Sequence, residues 1–185
     1  MNRESSLEIT SISFPFIKNV LDLGLLYFVL CLLVIIGSAN AVNMTDGLDG
    51  LAIGSILPVL AGLIIITYIA GHSNYSYYLY VPYVRHVGEI VIFLSAILGG
   101  ALGFLWFNSN PAQIFMGDVG SIPLGASIGL VSILIKQELL LLILGGVFVI
   151  EALSVIIQIV SFRLLGKRVF LIAPLHHHFE KEGVV

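Results

Sequence analysis

Charged residues are scarce in this chain of 185 residues: Lys, Arg, Asp and Glu together make up 10% of it, against about 25% in an average soluble protein. Hydrophobic residues make up 58%, and the mean hydropathy is +1.08. So few polar residues cannot cover the surface of a water-soluble domain of this size. We therefore expect residues 1–185 to form a single membrane domain in contact with the lipid bilayer.

Basic residues do not exceed acidic ones, since 8 Lys and Arg stand against 11 Asp and Glu, for a formal net charge of -3. This balance excludes nucleic acid as the main partner, because such partners bind a basic surface. Cysteine occurs once, at Cys31, which leaves no partner for an intrachain disulfide. The first twenty residues lack the compact apolar core of a signal peptide, so we expect the first apolar run to be a retained membrane span.

Five apolar runs are long enough to cross a bilayer, which takes about 20 helical residues. They cover residues 21–39, 51–71, 90–107, 119–135 and 139–162. Each run is continuous Leu, Ile and Val without the alternation of a membrane strand, which argues against a β-barrel. The sequence therefore predicts an all-α fold, a polytopic membrane helical bundle of about five transmembrane helices.

Each crossing moves the chain to the other side of the bilayer, so parity predicts which connectors meet. Residues 40–50, 108–118 and 163–178 are separated by two crossings each, and we expect them on one face. The amino terminus and the connectors after the second and fourth runs belong to the opposite face. The basic residues of segment 163–168 lie beside a membrane end and favour the cytoplasm for the first face.

The first of these connectors reads NAVNMTDGLDGLA and places Asn40, Asn43, Asp46 and Asp49 at a constant spacing of three. On a helical turn such residues lie on one side. Amide and carboxylate oxygens suit Mg²⁺, which takes one or two carboxylates and fills its remaining positions with water or phosphate. The alternative is a polar helix cap that holds no ligand.

The second connector reads NSNPAQIFMGDVGS and ends with Asp118 directly before the fourth run. Backbone N–H groups at a helix start attract phosphate, and a carboxylate beside them can hold a bridging metal ion. Asp118 and Ser121 also fit ordinary capping of that helix. From local context alone, Phe115 is expected to face lipid.

The third connector contains three adjacent histidines, His176, His177 and His178, within APLHHHFE. Three consecutive imidazoles cannot all point the same way, so they cannot form a three-histidine zinc site by themselves. We expect one or two of them to face the site, where they could bind a diphosphate or move a proton. A solvated surface loop is the alternative.

Polar residues at helical spacing also interrupt the fifth run: Glu151, Ser154 and Gln158. An ionisable group within a membrane helix is expected to face the interior of the bundle. We interpret Glu151 as a structural hydrogen-bonding residue between helices. Gln158 lies closer to the predicted active face and is a better candidate for contact with a ligand.

Together, the segments NAVNMTDGLDGLA, GFLWFNSNPAQIFMGDVGS and APLHHHFE resemble the motifs of the phospho-N-acetylmuramoyl-pentapeptide transferase family. The resemblance implies transfer of phospho-N-acetylmuramoyl-pentapeptide from its UDP carrier to undecaprenyl phosphate, with release of UMP and a requirement for Mg²⁺. This reaction belongs to peptidoglycan synthesis. The resemblance also implies a multi-pass protein of the bacterial cytoplasmic (inner) membrane, with its active face in the cytoplasm.

The resemblance implies roles for individual residues. Asn43 and Asp118 would hold the metal ion, with Asp118 as its main carboxylate. Phe115 resembles the ring that stacks on uracil, which reverses the expectation from local context. The remaining catalytic and substrate-binding candidates are Asp46, Asp49, Ser121, Gln158, His176, His177 and His178.

The sequence also departs from this family. Family members carry an adjacent Asp-Asp pair on an earlier helix, whereas these 185 residues contain no Asp-Asp. We interpret the chain as the carboxy-terminal half of such a protein without its last helix, and we expect it to be inactive alone. A second chain that carries the missing helices, or a homodimer, would then be its protein partner.

Three alternatives remain open. The related transferases that load N-acetylglucosamine phosphate onto a polyprenol phosphate are the nearest, although the intact APLHHHFE segment favours the muramoyl-pentapeptide branch. A non-catalytic membrane subunit is favoured by the missing Asp-Asp pair. A transporter could use Glu151 as its coupling carboxylate, but no internal repeat supports this reading.

Overall fold

The structure is a computed structural model of the chain, and it describes residues 10–15 and 20–183. Helices dominate these residues, which confirms the all-α prediction. The α-helices are α1 (Leu26–Thr45), α2 (Leu51–Ala70), α3 (Ser73–Tyr78), α4 (Ile90–Asn108), α5 (Gly117–Leu134), α6 (Glu138–Leu144), α7 (Gly146–Leu165) and α8 (Leu175–Glu182). A 3-10 helix, Val87–Glu89, leads into α4, and two short strands, β1 (Ser11–Ser13) and β2 (Val20–Asp22), pair antiparallel.

Five of these helices are long and apolar enough to cross a membrane: α1, α2, α4 with the 3-10 helix before it, α5 and α7. Many of their large apolar side chains lie exposed on the outside of the bundle, including Leu33, Ile92 and Ile156. In water such a surface would drive aggregation, whereas in a bilayer it faces lipid. The chain is a membrane protein with the predicted number of spans.

The first predicted run, 21–39, is wrong at both ends. Its first residues belong to the strand pair β1–β2, called the hairpin below. The Asp22 carboxylate at its end accepts hydrogen bonds from the Thr10 hydroxyl (2.6 Å) and the Gly24 N–H (3.0 Å). Gly24 has a φ of +52°, which reverses the chain before the helix begins. At the other end α1 continues to Thr45, so Asn40 and Asn43 lie on the helix and not in a loop.

The fifth predicted run, 139–162, is not one helix. It divides at Gly145 into the short helix α6 and the spanning helix α7. Gly145 and Gly146 are adjacent, and a glycine pair weakens a helix enough to allow a sharp bend. The break places Glu151 in the second turn of α7 rather than midway along a span.

Two other predicted boundaries also move. The fourth run starts at Gly117, two residues earlier than expected, which places Asp118 in the first turn of α5. The connector 163–178 is helical at both ends, since α7 extends to Leu165 and α8 includes all three histidines. Sequence hydropathy misses both, because polar residues at helix ends do not differ from loop residues in composition.

Close packing of α1 against α5 is the central helix contact of the bundle. A Cβ added to Gly125 would lie 2.6 Å from the Ser38 carbonyl oxygen, and one added to Gly129 would lie 3.1 Å from the Val34 carbonyl oxygen. These glycines are four residues apart and therefore share a face of α5. Only glycine allows the two backbones to approach so closely, as in other membrane helix pairs.

The interior of the bundle is apolar and centres on α2. Ile53, Ile56, Leu60 and Leu63 follow one another at helical spacing and are at most 1% exposed. Leu94 of α4 is 0% exposed and belongs to the same cluster. This core fixes α2 and α4 together beside the α1–α5 pair.

At one end of the bundle, the hairpin and the turn between α5 and α6 form a polar cluster. The Tyr27 hydroxyl donates a hydrogen bond to the buried Glu138 carboxylate at 2.5 Å, and the Lys136 ammonium lies 4.0 Å from the centre of the Tyr27 ring. The Ser13 hydroxyl donates to the Lys136 carbonyl oxygen. These contacts join three distant segments on the face opposite the histidines.

We predict that Gly125→Ala destabilises the bundle, while Gly103→Ala does not. The added methyl at position 125 meets backbone atoms of α1, and overpacking of this kind costs about 1–3 kcal/mol. A Cβ at Gly103 of α4 meets nothing within 4 Å. Melting temperatures of the two variants in the same detergent measure the difference. Equal melting temperatures would contradict the packing role of Gly125.

We further predict that segments 109–116 and 163–174 share one side of the membrane and that α3 lies on the other. Single cysteines at Ser109, Lys167 and Asn74, all exposed positions, are introduced after Cys31→Ser. If segments 109–116 and 163–174 face the cytoplasm, as the sequence predicts, a membrane-impermeant thiol reagent applied to intact cells should label Asn74→Cys only. Labelling of Ser109→Cys without Lys167→Cys, or the reverse, would contradict the shared face.

Candidate functional site

Two hydrogen bonds join the end of α1 to the start of α5, and predicted site residues take part in both. The Ser121 hydroxyl donates to the Asn43 side-chain oxygen at 2.6 Å. The Gly117 N–H donates to an Asp46 carboxylate oxygen at 3.1 Å. Asn43, Asp46, Ser121 and Asp118 are therefore brought together at one end of the α1–α5 pair.

Asp49 extends this connection to the second loop. Its carboxylate accepts a hydrogen bond from the Ala112 N–H at 3.0 Å. Beside it, the buried side chain of Asn108 accepts from the Gly50 N–H at 3.1 Å and donates to the Ile114 carbonyl oxygen at 2.8 Å. The sequence prediction missed Asn108, although a lone amide that ends the apolar segment GFLWF was an available signal.

The carboxylates of Asp46 and Asp118 are close enough for an electrostatic interaction. Burial raises the pKa of Asp46 above its usual value, and the nearby negative charge of Asp118 raises it further. The hydrogen bond from the Gly117 N–H opposes both effects. Within the described part of the chain, no Lys or Arg forms an ion pair with either carboxylate. Uncompensated charge of this kind is typical of a functional site.

The donor set is compatible with a hard divalent cation. In the described residues no three His, Cys, Asp or Glu side chains form a metal-binding group. Mg²⁺ does not require one, because it takes one or two carboxylates and completes its shell with water and substrate phosphate. Asp118 provides a carboxylate, and the Asn43 oxygen has a second lone pair beyond the one that accepts from Ser121.

The three histidines lie on α8, and the structure places them differently. His176 is buried, with its Nδ1 3.2 Å from a Glu151 carboxylate oxygen. The two atoms are close, but their geometry is not that of an aligned hydrogen bond. The other ring nitrogen packs against the first loop, where a Cβ added to Gly47 would lie 2.2 Å from it. The first and third motifs are thus in direct contact.

The side chains of His177 and His178 are partly exposed. The Nδ1 of His177 lies 2.9 Å from a carboxylate oxygen of Glu180, and the Nε2 of His178 lies 3.5 Å from one of Glu182. The Nδ1 of His178 accepts a hydrogen bond from the Leu171 N–H at 3.3 Å. The rings of His176 and His177 lie next to each other, with centroids 4.3 Å apart, while the ring of His178 lies 5.8 Å from that of Phe170.

Gln158 holds the segment between α7 and α8. Its side-chain oxygen accepts from the N–H groups of Val169 and Phe170, both at 3.0 Å, and its side-chain nitrogen donates to the Phe170 carbonyl oxygen at 2.9 Å. One N–H of the amide is not used in these three bonds. Gln158 therefore has a structural role here, beside the predicted contact with substrate.

Two other predicted residues are not drawn into this network. Asn40 is exposed, and its amide nitrogen bonds back to the Ile36 carbonyl oxygen of its own helix at 2.7 Å. Phe115 is 74% exposed on the loop before α5. Such an exposed ring beside Asp118 is accessible to a planar ligand.

A cavity of about 500 Å³ opens between the first loop, the end of α4 and α8. Its walls contain Asp49, Ser109, Glu151 and His176 among apolar residues. Polar groups of all three sequence motifs therefore lie around one region of space, as the parity argument predicted. The contacts of Gly47 and Glu151 with His176 were not predicted, because burial of one particular histidine has no signal in a run of three.

A comparison with protein-family models finds a match over most of this chain. Residues 3–136 match the model described as Glycosyl transferase family 4. The matched part includes the first two motifs and ends before α6, so the histidine segment lies outside it.

We predict that Gln158→Leu frees the segment 166–174 without unfolding the bundle. The change removes three hydrogen bonds but keeps a side chain of similar volume. Trypsin should then cut faster after Lys167 and Arg168, which lie in this segment. Gln113→Leu, on an exposed loop residue, serves as the control, and cleavage is located by mass spectrometry. Unchanged cleavage at Lys167 and Arg168 would contradict the structural role of Gln158.

Proposed function

The chain belongs to glycosyl transferase family 4, whose membership supports a polyprenyl-phosphate sugar-phosphate transferase activity in general, and from this premise we propose a specific reaction. The protein transfers phospho-N-acetylmuramoyl-pentapeptide from its UDP carrier to undecaprenyl phosphate and releases UMP. The three motifs support this choice of substrates, above all the intact segment APLHHHFE of α8. The product is the first lipid-linked intermediate of peptidoglycan synthesis.

One observation carries the proposal: Asp46 and Asp118 converge at the first turn of α5, at a membrane edge. Hydrogen bonds from Gly117 to Asp46 and from Ser121 to Asn43 hold this arrangement. The start of a helix favours phosphate groups through its N–H groups and dipole. Carboxylates at the same place would repel phosphate unless a cation lies between them.

We propose that Mg²⁺ is this cation, held by Asn43 and Asp118. When bound, it neutralises negative charge on the diphosphate. The protein's own residues orient the reactants: Phe115 stacks on uracil, and Asp46, Asp49, Ser121, Gln158 and His177 contact the nucleotide sugar. An oxygen of the lipid phosphate then attacks the β-phosphorus, and the bond from that phosphorus to the bridging oxygen of UMP breaks. Catalysis consists mainly of positioning and charge stabilisation.

The site is proposed to face the cytoplasm of a bacterial cell, in its cytoplasmic membrane. Arg163, Lys167 and Arg168 lie at the end of α7 on the same side as the three motifs. Basic residues beside a span favour the cytoplasmic side. A uridine nucleotide substrate is available only there.

A related reaction, transfer of N-acetylglucosamine phosphate to a polyprenol phosphate, is the second candidate. The family match covers only the first two motifs, which do not distinguish the sugars. The assay therefore offers both UDP-sugars separately, with undecaprenyl phosphate and Mg²⁺, and measures UMP release. Release from the N-acetylglucosamine donor alone would select the second candidate.

The assay is run on residues 1–185 in lipid nanodiscs, first alone and then with a co-expressed second chain. This second chain carries the Asp-Asp helix of phospho-N-acetylmuramoyl-pentapeptide transferases, the family that the motifs resemble. We expect turnover in the second arrangement only, since these 185 residues contain no Asp-Asp. Turnover in neither arrangement with either donor would refute the proposed activity and favour a non-catalytic subunit.

We predict that Asp118→Asn lowers UMP release at least about 10²-fold at saturating Mg²⁺, the scale of losing one charge-stabilising group. The substitution keeps the size of the side chain and removes its charge. Glu89→Gln is the matched control, because Glu89 is exposed on the 3-10 helix at the opposite end of the bundle. An Asp118→Asn variant with the rate of the parent would show that the metal role is wrong.

A further inference from the structure

Glu151 is a buried carboxylate near the start of α7 that the proposed reaction does not use. Glu151 is 7% exposed. Burial of a carboxylate in a membrane helix costs free energy unless a partner stabilises it. Two nitrogen atoms of His176 contact this carboxylate: the ring Nδ1 lies 3.2 Å away, and the backbone N–H donates at 3.4 Å. One carboxylate oxygen thus contacts a single residue of α8 twice.

The opposite side of the His176 ring touches the first loop. Its Nε2 is buried, has no hydrogen-bond partner within the described residues, and lies where a side chain on Gly47 would begin. Gly47 directly follows Asp46, whose carboxylate is bonded to the start of α5. A continuous line of contacts therefore runs from Glu151 through His176 and Gly47 to Asp46.

We propose that Glu151 is a positioning residue: it fixes the His176 ring against Gly47 and thereby sets the first loop, with Asp46, against the start of α5. This inference rests on the proposed function for its effect on rate. It assigns a separate role to His176, which is buried against the first loop, whereas the side chains of His177 and His178 are partly exposed. His176 then acts through its shape and orientation and not as a base for the substrate.

The charges around this contact support a structural pairing. α7 contributes Glu151, α8 contributes His176 with His177 and Glu180 further out, and the first loop contributes Asp46 and Asp49. In the ring form with its proton on Nδ1, that proton faces the Glu151 carboxylate. The ring is then oriented with Nε2 toward the glycine, where only a residue without a side chain fits.

The test is Glu151→Gln in the active assembly, which preserves the size of the side chain and removes its charge. We expect kcat to fall about 10²-fold, the scale of a misplacement of about 1 Å, with KM for the nucleotide sugar unchanged. Gly47→Ala, which displaces the ring from the other side, should have a similar effect. The double variant should be no worse than either single one, because both disrupt one unit.

A measurement that does not need turnover separates positioning from activity. Nitrogen-15 NMR of labelled histidine in residues 1–185 should show the His176 proton on Nδ1 in the parent and a changed signal in Glu151→Gln. Glu180→Gln is the matched control, because Glu180 contacts His177 in an exposed pair on the same helix; it should leave the His176 signal in place.

The outcomes are distinct. A His176 signal that is the same in the parent and in Glu151→Gln would overturn the positioning role and leave the proposed function intact. Additive effects of Glu151→Gln and Gly47→Ala on kcat would do the same. A changed His176 signal in a parent assembly without UMP release would support the positioning contact and refute the proposed function. A fall in melting temperature equal in Glu151→Gln and Glu180→Gln, with no split between kcat and KM, would also overturn the inference.

Discussion

The approach of α5 to α1 is the constraint on which the rest of the structure depends. Gly125 and Gly129 bring the two backbones together, and at the end of this contact Asn43 and Asp46 meet Ser121 and Gly117. In lipid the attraction between helices comes from close packing and not from the hydrophobic effect. The site therefore inherits its geometry from a packing surface roughly one to two helical turns away, inside the membrane.

The sequence predicted the fold class and the number of spans because both follow from the mean composition of long segments. The sequence prediction was wrong at several helix ends, because a single residue can determine where a helix begins or stops. Gly24 and Asp22 end the hairpin inside what reads as an apolar run, and Gly145 divides another run without lowering its hydropathy. Asn43 has no more helical signal than a loop residue, yet α1 continues past it to Thr45.

The candidate site was predictable as a set of motifs on one face, because parity needs only the count of spans. Its internal contacts were not. The Gln158 side chain binds the backbone of Val169 and Phe170, and this depends on how the chain turns back at Gly166, directly after α7. In the same way, only the fold distinguishes the buried His176 from its two exposed neighbours.

The two ends of the bundle use carboxylates differently, and the contrast bears on function. At the hairpin end burial raises the pKa of Glu138, and the hydrogen bond from Tyr27 and the charge of Lys136 oppose this rise. Stability alone explains such a cluster, since the carboxylate there has a hydrogen-bond donor and a nearby cation. At the other end burial raises the pKa of Asp46 and the charge of Asp118 adds to this rise, and in the described part of the chain no Lys or Arg forms an ion pair with either carboxylate. A fold selected only for stability has no reason to keep two carboxylates in mutual repulsion. A positively charged ligand would be such a reason, because it would neutralise both carboxylates. The functional site is therefore proposed at this end of the bundle.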